Sequence, residues 1–189
     1  YVKINWERTA VHISITTDGN VPIVSKDNYV HASIKIDGKG MYDDYTGTTN
    51  IKGRGNSTWG MPKKPYRLKL DTKAGLLGLS PEKDWVLLAN YLDETHMLNA
   101  IAMKAGKQFD TPFTNSIIPA EVTINGVYQG LYMFTEQVEA ESNRVNVGNG
   151  GVLLELDTNF DEDWKFYSSS FSLPVMVKYP NLTMQSELD

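Results

Sequence analysis

The chain has 189 residues, 41% of them hydrophobic and 11% aromatic, which suits one globular domain with a real core, and its formal net charge is −5. That charge disfavours a nucleic-acid partner, which wants a basic face. No run is long and apolar enough to span a membrane, no signal peptide is visible, and the absence of cysteine removes disulfides, thiol nucleophiles and cysteine-type zinc sites.

The first half reads as strands. Val11–Thr16 alternates apolar and polar residues before a turn at Thr17-Asp-Gly-Asn20. Tyr29–Ile36 alternates again and stops at Asp37-Gly38, and the polar stretch from Met41 to Thr49 reads as a loop. Farther on, Tyr66, Leu68 and Leu70 point to one face while Arg67 and Lys69 point to the other. Asp84–Asn90 is apolar through its middle, as a buried strand or short helix would be. One helix is expected, with Asp93 as N-cap and Met97, Leu98, Ile101, Ala102, Ala105 and Phe109 on an apolar face; Gly106 weakens its end. Ala120–Ile124 and Val127–Phe134 form a hairpin across Asn125-Gly126, the dipeptide best suited to two positive φ angles. Gly151–Asp157 is a further strand, apolar enough to be central, and Phe171–Tyr179 is another, placed at an edge or bulge by Pro174. The chain opens at Tyr1 without methionine, as a processed or engineered product would. Residues 180–189 read as the start of a helix whose remainder is absent. The expected class is α+β, with mixed or antiparallel sheets and one main helix.

Three segments could carry chemistry. The first runs from Ile51 to Leu70, holds Gly53-Arg-Gly-Asn-Ser-Thr58 and Lys63-Lys-Pro-Tyr-Arg-Leu-Lys69, and contains no acid. Glycines let backbone N–H groups approach an anion, and hydroxyls and cations complete a cradle, so Arg54, Asn56, Ser57, Lys64, Arg67 and Lys69 are candidate phosphate ligands. The loop matches neither Gly-x-x-x-x-Gly-Lys-Ser/Thr nor Gly-x-Gly-x-x-Gly, and a plain turn fits it as well. The second is Glu155 and Asp157, which share one strand face as hard oxygen ligands suited to Mg²⁺, or as acids facing water or a lysine. The third is Glu136-Gln-Val-Glu139, where Glu139 or Glu136 could orient or deprotonate an acceptor hydroxyl, or simply end a solvated strand. The three histidines lack metal-ligand spacing.

Taken in order, Arg54-Gly-Asn-Ser-Thr-Trp59, Lys63-Lys-Pro-Tyr66, Asp84-Trp-Val-Leu-Leu-Ala-Asn-Tyr-Leu-Asp93, Asn125-Gly-Val-Tyr-Gln-Gly-Leu-Tyr132 and Thr135-Glu-Gln-Val138 resemble the CotH (spore-coat protein H) kinase family from about residue 11 to Asp157. The resemblance implies a single CotH-like domain with a remote protein-kinase-like fold, lacking the C-terminal part of the second lobe. It implies ATP and Mg²⁺ as cofactors and phosphoryl transfer to protein Ser/Thr as the reaction. Lys69 resembles the strand lysine that holds nucleotide phosphates, with Lys64 and Arg67 as competitors; Asp157 resembles the metal-binding acid. The resemblance further implies an extracellular or cell-surface bacterial protein, which the cysteine-free composition fits. Two positions depart from the family pattern. Glu139 stands where kinase-active members often carry Asp, and Met97-Leu98-Asn99 replaces Met-Arg-Asn, so weak or absent activity is expected of this chain. Two rival readings remain at this stage. One is a non-catalytic surface-assembly or binding module of the same fold. The other is a carbohydrate-binding β-rich domain, suggested by ten tyrosines, four tryptophans and paired acids.

Overall fold

The structure, a computed structural model, describes residues 10–160, 162–170 and 172–184. The chain divides into two compact units: one holds Tyr1–Phe109 and Thr114–Gln137, the other Asp110–Phe113 and Val138–Asp189.

The first unit is a closed seven-stranded barrel. Its strands are β1 (Val11–Thr17), β2 (Val30–Asp37), β3 (Tyr45–Gly53), β4 (Tyr66–Ala74), β5 (Glu82–Leu88), β6 (Ile117–Ile124) and β7 (Val127–Glu136). The order around the barrel is β1-β2-β3-β4-β5-β7-β6, and β6 returns to β1. Each neighbouring pair is antiparallel except β1 with β6, which is parallel. An odd ring of alternating strands must contain a parallel pair, and here it falls at the closure. Period-2 alternation drives the assembly. Ile13, Ile34, Ile51, Leu68, Trp85, Val122 and Phe134 all point inward and are buried, and Trp85 stacks on Phe134 with ring centroids 5.1 Å apart. Side chains thus fill the interior, as small barrels require.

Most strand expectations hold, with corrections to one strand and the helix in this unit. The stretch read as a loop is β3, which begins at Tyr45. Its outward positions are Thr46, Thr48 and Asn50, so the solvated face hides the strand from a hydrophobicity reading. Gly47 leaves room for the Tyr45 side chain, since a Cβ there would stand 2.4 Å from its hydroxyl. The helix α1 spans Leu98–Gly106 and has no buried residue; Leu98, Ile101 and the following Phe109 are more than half exposed, so its apolar face is not a core face. Its N-cap is Met97, yet Asp93 still serves the helix start, because its carboxylate accepts the Leu98 N–H at 2.8 Å. The Asn125-Gly126 hairpin forms as expected, with φ of 50° and 77°.

The second unit contains β8 (Leu153–Leu156), β9 (Lys165–Ser168) and β10 (Leu173–Tyr179) in the order β8-β10-β9. Here the expected roles are reversed. The strand expected to be central, β8, is an edge, with Leu154 and Leu156 exposed; the strand expected at an edge, β10, is central and buries Val175 and Met176. Pro174 is tolerated because pairing with β8 starts only at Val175, so Pro174 faces β9 alone. Phe171 lies outside the described residues. Of the expected terminal helix, residues 181–184 are not helical and 185–189 lie outside the described residues.

Candidate functional site

The glycine-rich segment leaves β3 at Gly53, whose missing side chain makes room for Trp59: a Cβ at Gly53 would stand 2.4 Å from the indole ring. Gly55 has φ of 82°, a conformation glycine adopts without strain, and a Cβ there would meet the Thr58 hydroxyl. Several amides of the segment serve the fold. Gly53 N–H donates to Ser25 O, Arg54 N–H to Pro65 O, Trp59 N–H to Asn56 O and Met61 N–H to Thr58 O. Asn56 and Ser57 are exposed, and the Asn56 side-chain oxygen accepts from Lys26 at 3.3 Å.

Behind the loop lies a cavity of about 270 Å³. Arg54, Thr58, Met61, Lys63 and Pro65 form one side. The end of β5 and the turn after it, Leu88 to Asp93, form the other, with Leu98 and Asn99 at the helix start. That turn is tightly stapled. Asn90 has φ of 48° and His96 φ of 56°; the Asn90 side chain donates to His96 O at 3.4 Å and accepts from Asn99 at 2.9 Å. Asp93 accepts from the Thr95 hydroxyl at 2.6 Å and the Thr95 N–H at 3.0 Å. The Thr95 hydroxyl, with help from the Leu98 amide, holds the Asp93 carboxyl below its usual range. Its negative charge is therefore a fixed feature of the cavity wall.

Of the cations expected to bind phosphate, only Arg54 lines this cavity. Arg67 is committed elsewhere, with Nε 2.9 Å and Nη2 2.7 Å from the same oxygen of the buried Asp84. Lys64 donates to Trp59 O at 2.7 Å, and its ammonium lies 5.2 Å from the Trp59 ring centroid. Lys69 is exposed on the outward face of β4, its Cα paired with those of Asn50 and Asp84. The lysine that does reach the cavity is Lys63, which sequence reasoning passed over. Two adjacent lysines before a proline look alike in sequence, and only the fold distinguishes the one that lines the cavity from the one that donates to Trp59 O.

The acids divide between the units. In the first, Glu136 is buried at the end of β7, and its carboxylate accepts the Ser116 N–H at 2.6 Å. In the second, the Glu139 carbonyl accepts the N–H groups of Glu141 and Val145 at 3.1 and 3.0 Å, while Glu155 lies 3.4 Å from Lys178. Asp157 falls just after β8, not on it, and takes the side-chain and backbone N–H groups of Asn159 at 2.8 and 3.0 Å. Those bonds, the side-chain one foremost, lower its pKa and keep it ionised.

A family model described as CotH kinase protein matches residues 51–178, more than half of the chain. The chain belongs to the CotH kinase family. No curated protein matches it. The CotH match begins in β3 and covers the glycine-rich loop, the cavity wall, α1, the hairpin and most of the second unit. Its limits differ from the span of resemblance read from the motifs, which started near residue 11 and stopped at Asp157.

The residues of this CotH chain fit a nucleotide in part. A pocket of this volume sits near the lower end of the range for small-molecule sites, so it has room for a portion of a nucleotide. Its lining residues combine apolar side chains with two cations, Arg54 and Lys63, suited to phosphate oxygens, and one ionised acid, Asp93, which opposes them. For a magnesium ion the fit rests on Asp157, since Mg²⁺ takes one or two carboxylates and completes its shell with water and phosphate oxygens. Glu155 fits less well, because it already lies 3.4 Å from Lys178, which it shares with Glu162. Among the described residues no three His, Asp or Glu side chains gather as an all-protein metal cage.

Proposed function

We propose that this chain is a CotH-type atypical protein kinase domain that transfers a phosphoryl group from ATP to Ser or Thr hydroxyls of a protein acceptor. The observation that carries the reading is the cavity behind the Arg54–Thr58 loop, inside the region that matches the family. Leu88, Ala89 and Leu98 offer an apolar wall to a base, and Arg54 and Thr58 offer donors to phosphate oxygens. In the other unit, Asp157 has the donor chemistry to hold magnesium, whose charge would offset that of a transferring phosphoryl group, and Glu139 has a carboxylate able to accept a hydroxyl proton. Positioning dominates such reactions, so the rigid turn stapled by Asn90 and Asp93 matters as much as any one charge.

A second reading, a binding module that keeps the fold without the chemistry, draws support from the acids themselves. Glu136 serves Ser116 and Glu155 serves Lys178, so two of the four expected acids already have structural work.

Thermal unfolding with and without Mg·ATP tests the nucleotide reading, since a ligand at a hundred times its Kd adds about 2.7 kcal/mol. The shift should shrink in Arg54→Ala. Radiolabel transfer to a Ser/Thr-rich acceptor, with Asp157→Asn as control, tests the chemistry. A shift with transfer supports the kinase; a shift without transfer leaves nucleotide binding without chemistry; neither a shift nor transfer defeats the kinase reading and favours the non-catalytic module.

A further inference from the structure

We propose that Lys63 is the lysine that grips the nucleotide's phosphates in this cavity, in place of Lys64 or Lys69. The inference rests on the nucleotide reading of the cavity above. Of the three lysines, Lys63 alone lines the cavity. Lys64 is held on the Trp59 carbonyl, and Lys69 stands exposed on the outer face of β4.

Lys63 is also positioned. Its ammonium donates to the Leu131 carbonyl and lies 4.5 Å from the centroid of the Tyr132 ring. Tyr132 is itself fixed, because its hydroxyl donates to Lys64 O at 2.9 Å. The β7 segment that presents these groups carries an irregularity: Val122 faces Gly130 and Thr123 faces Tyr128, which leaves Gln129 as an extra residue. Such bulges re-aim the strand beside them, and here the next carbonyl but one is the acceptor for Lys63.

The ammonium's own contacts carry no negative charge, and Asp93, the carboxylate on the cavity lining, is not among them. Among the described residues its partners are a carbonyl and an aromatic face, with no carboxylate. An ammonium has three N–H donors, and the Leu131 contact uses one. Burial accordingly pushes the Lys63 ammonium below its usual pKa, the expected result for a cation taken from water without a counter-charge. A phosphate oxygen would supply that charge. With Arg54 on the same wall, the two cations would hold adjacent phosphates, one by a planar fork and the other as a point charge.

The test uses an ATP acyl phosphate, which acylates a lysine amine lying next to bound phosphates. The amine nitrogen attacks the acyl carbonyl, the new C–N amide bond forms, the C–O bond to the phosphate breaks, ATP leaves, and the amine's proton passes to water. Mass spectrometry of the tryptic peptides then locates the label. The expected result is acylation of Lys63 that excess ATP prevents and that persists in Lys64→Arg. Lys63→Met, checked for folding by its melting curve, should bind Mg·ATP roughly 10- to 100-fold more weakly, the loss of one charge-assisted hydrogen bond. ATP-protected label on Lys64 or Lys69 with none on Lys63 overturns the inference and leaves the nucleotide reading standing. No ATP-protected label anywhere, together with no thermal shift by Mg·ATP, defeats the nucleotide reading and this inference with it.

Discussion

Glu136 and Glu139 stand three residues apart and do different work. Glu136 occupies the inward parity of β7, after Tyr132 and Phe134, and its buried carboxylate ties β7 to the start of β6 through Ser116. Asn115 reinforces the join by donating to Glu136 O at 2.6 Å. Replacing Glu136 with Ala strands the Ser116 amide and should cost about 1.5–3 kcal/mol, read from urea denaturation. Glu139→Gln keeps the shape of its side chain, so its effect should fall on phosphoryl transfer and leave the urea midpoint nearly unchanged. An equal loss of stability in both variants would place Glu139 in the fold instead of the chemistry. Sequence could not divide the pair, because Glu-Gln-Val-Glu does not announce where the strand ends. The same limit applies to Lys63 and Lys64, adjacent residues before β4, of which one lines the cavity and the other donates to the Trp59 carbonyl.

At the scale of elements, legibility followed the kind of signal each segment carried. The β6–β7 hairpin was plain because Asn125-Gly126 encodes its turn locally. β4 was plain because its inward positions are large and apolar and its outward ones charged. β3 was hidden because its outward face is polar, Thr46, Thr48, Asn50 and Lys52, and its first half has few apolar residues facing inward. α1 misled in the opposite way, since helical spacing of apolar residues marks a face but does not say what covers it. Ile101 is 57% exposed, so Ile101→Glu should change stability by no more than about 0.5 kcal/mol in a thermal melt. A loss of several kcal/mol would mean that the face is covered in solution.

At the scale of the whole barrel, polar side chains link strands from outside as the core does from within. His31 on β2 places Nδ1 2.9 Å from Asp18, just past β1, and Nε2 3.2 Å from Asp71 on β4. Thr48 and Asn50 of β3 donate to the same Asp71 carboxylate, and Lys83 of β5 donates to the Asp71 carbonyl. The bond to Asp18, then that to Asp71, raises the His31 pKa above 6.5. A raised folded-state pKa means that protonation favours the fold. The contribution is complete below the unfolded-chain value and disappears as pH climbs through the folded-state value. Wild type should therefore lose more melting temperature than His31→Gln between about pH 6 and pH 8. Equal losses would show that His31 does not carry the effect. None of this was legible from three scattered histidines, because the partners of His31 lie in the turn after β1 and on β4, brought to it by the β1–β2, β2–β3 and β3–β4 pairings.

That closure also sets a clock. Val11 pairs with Ala120 and Ile15 with Ile124, so β1 leaves the ribosome and waits for a strand made more than a hundred residues later. At about 5–20 residues per second, the interval is roughly 5–20 s. Throughout it the outer edge of β1 offers unpaired N–H and C=O groups to any passing strand, including β1 of a neighbouring nascent chain. The finished molecule has no open edge on this sheet, but its newborn form does. Synthesis rate and chaperone supply should therefore govern its soluble yield more than the melting temperature of the folded protein does.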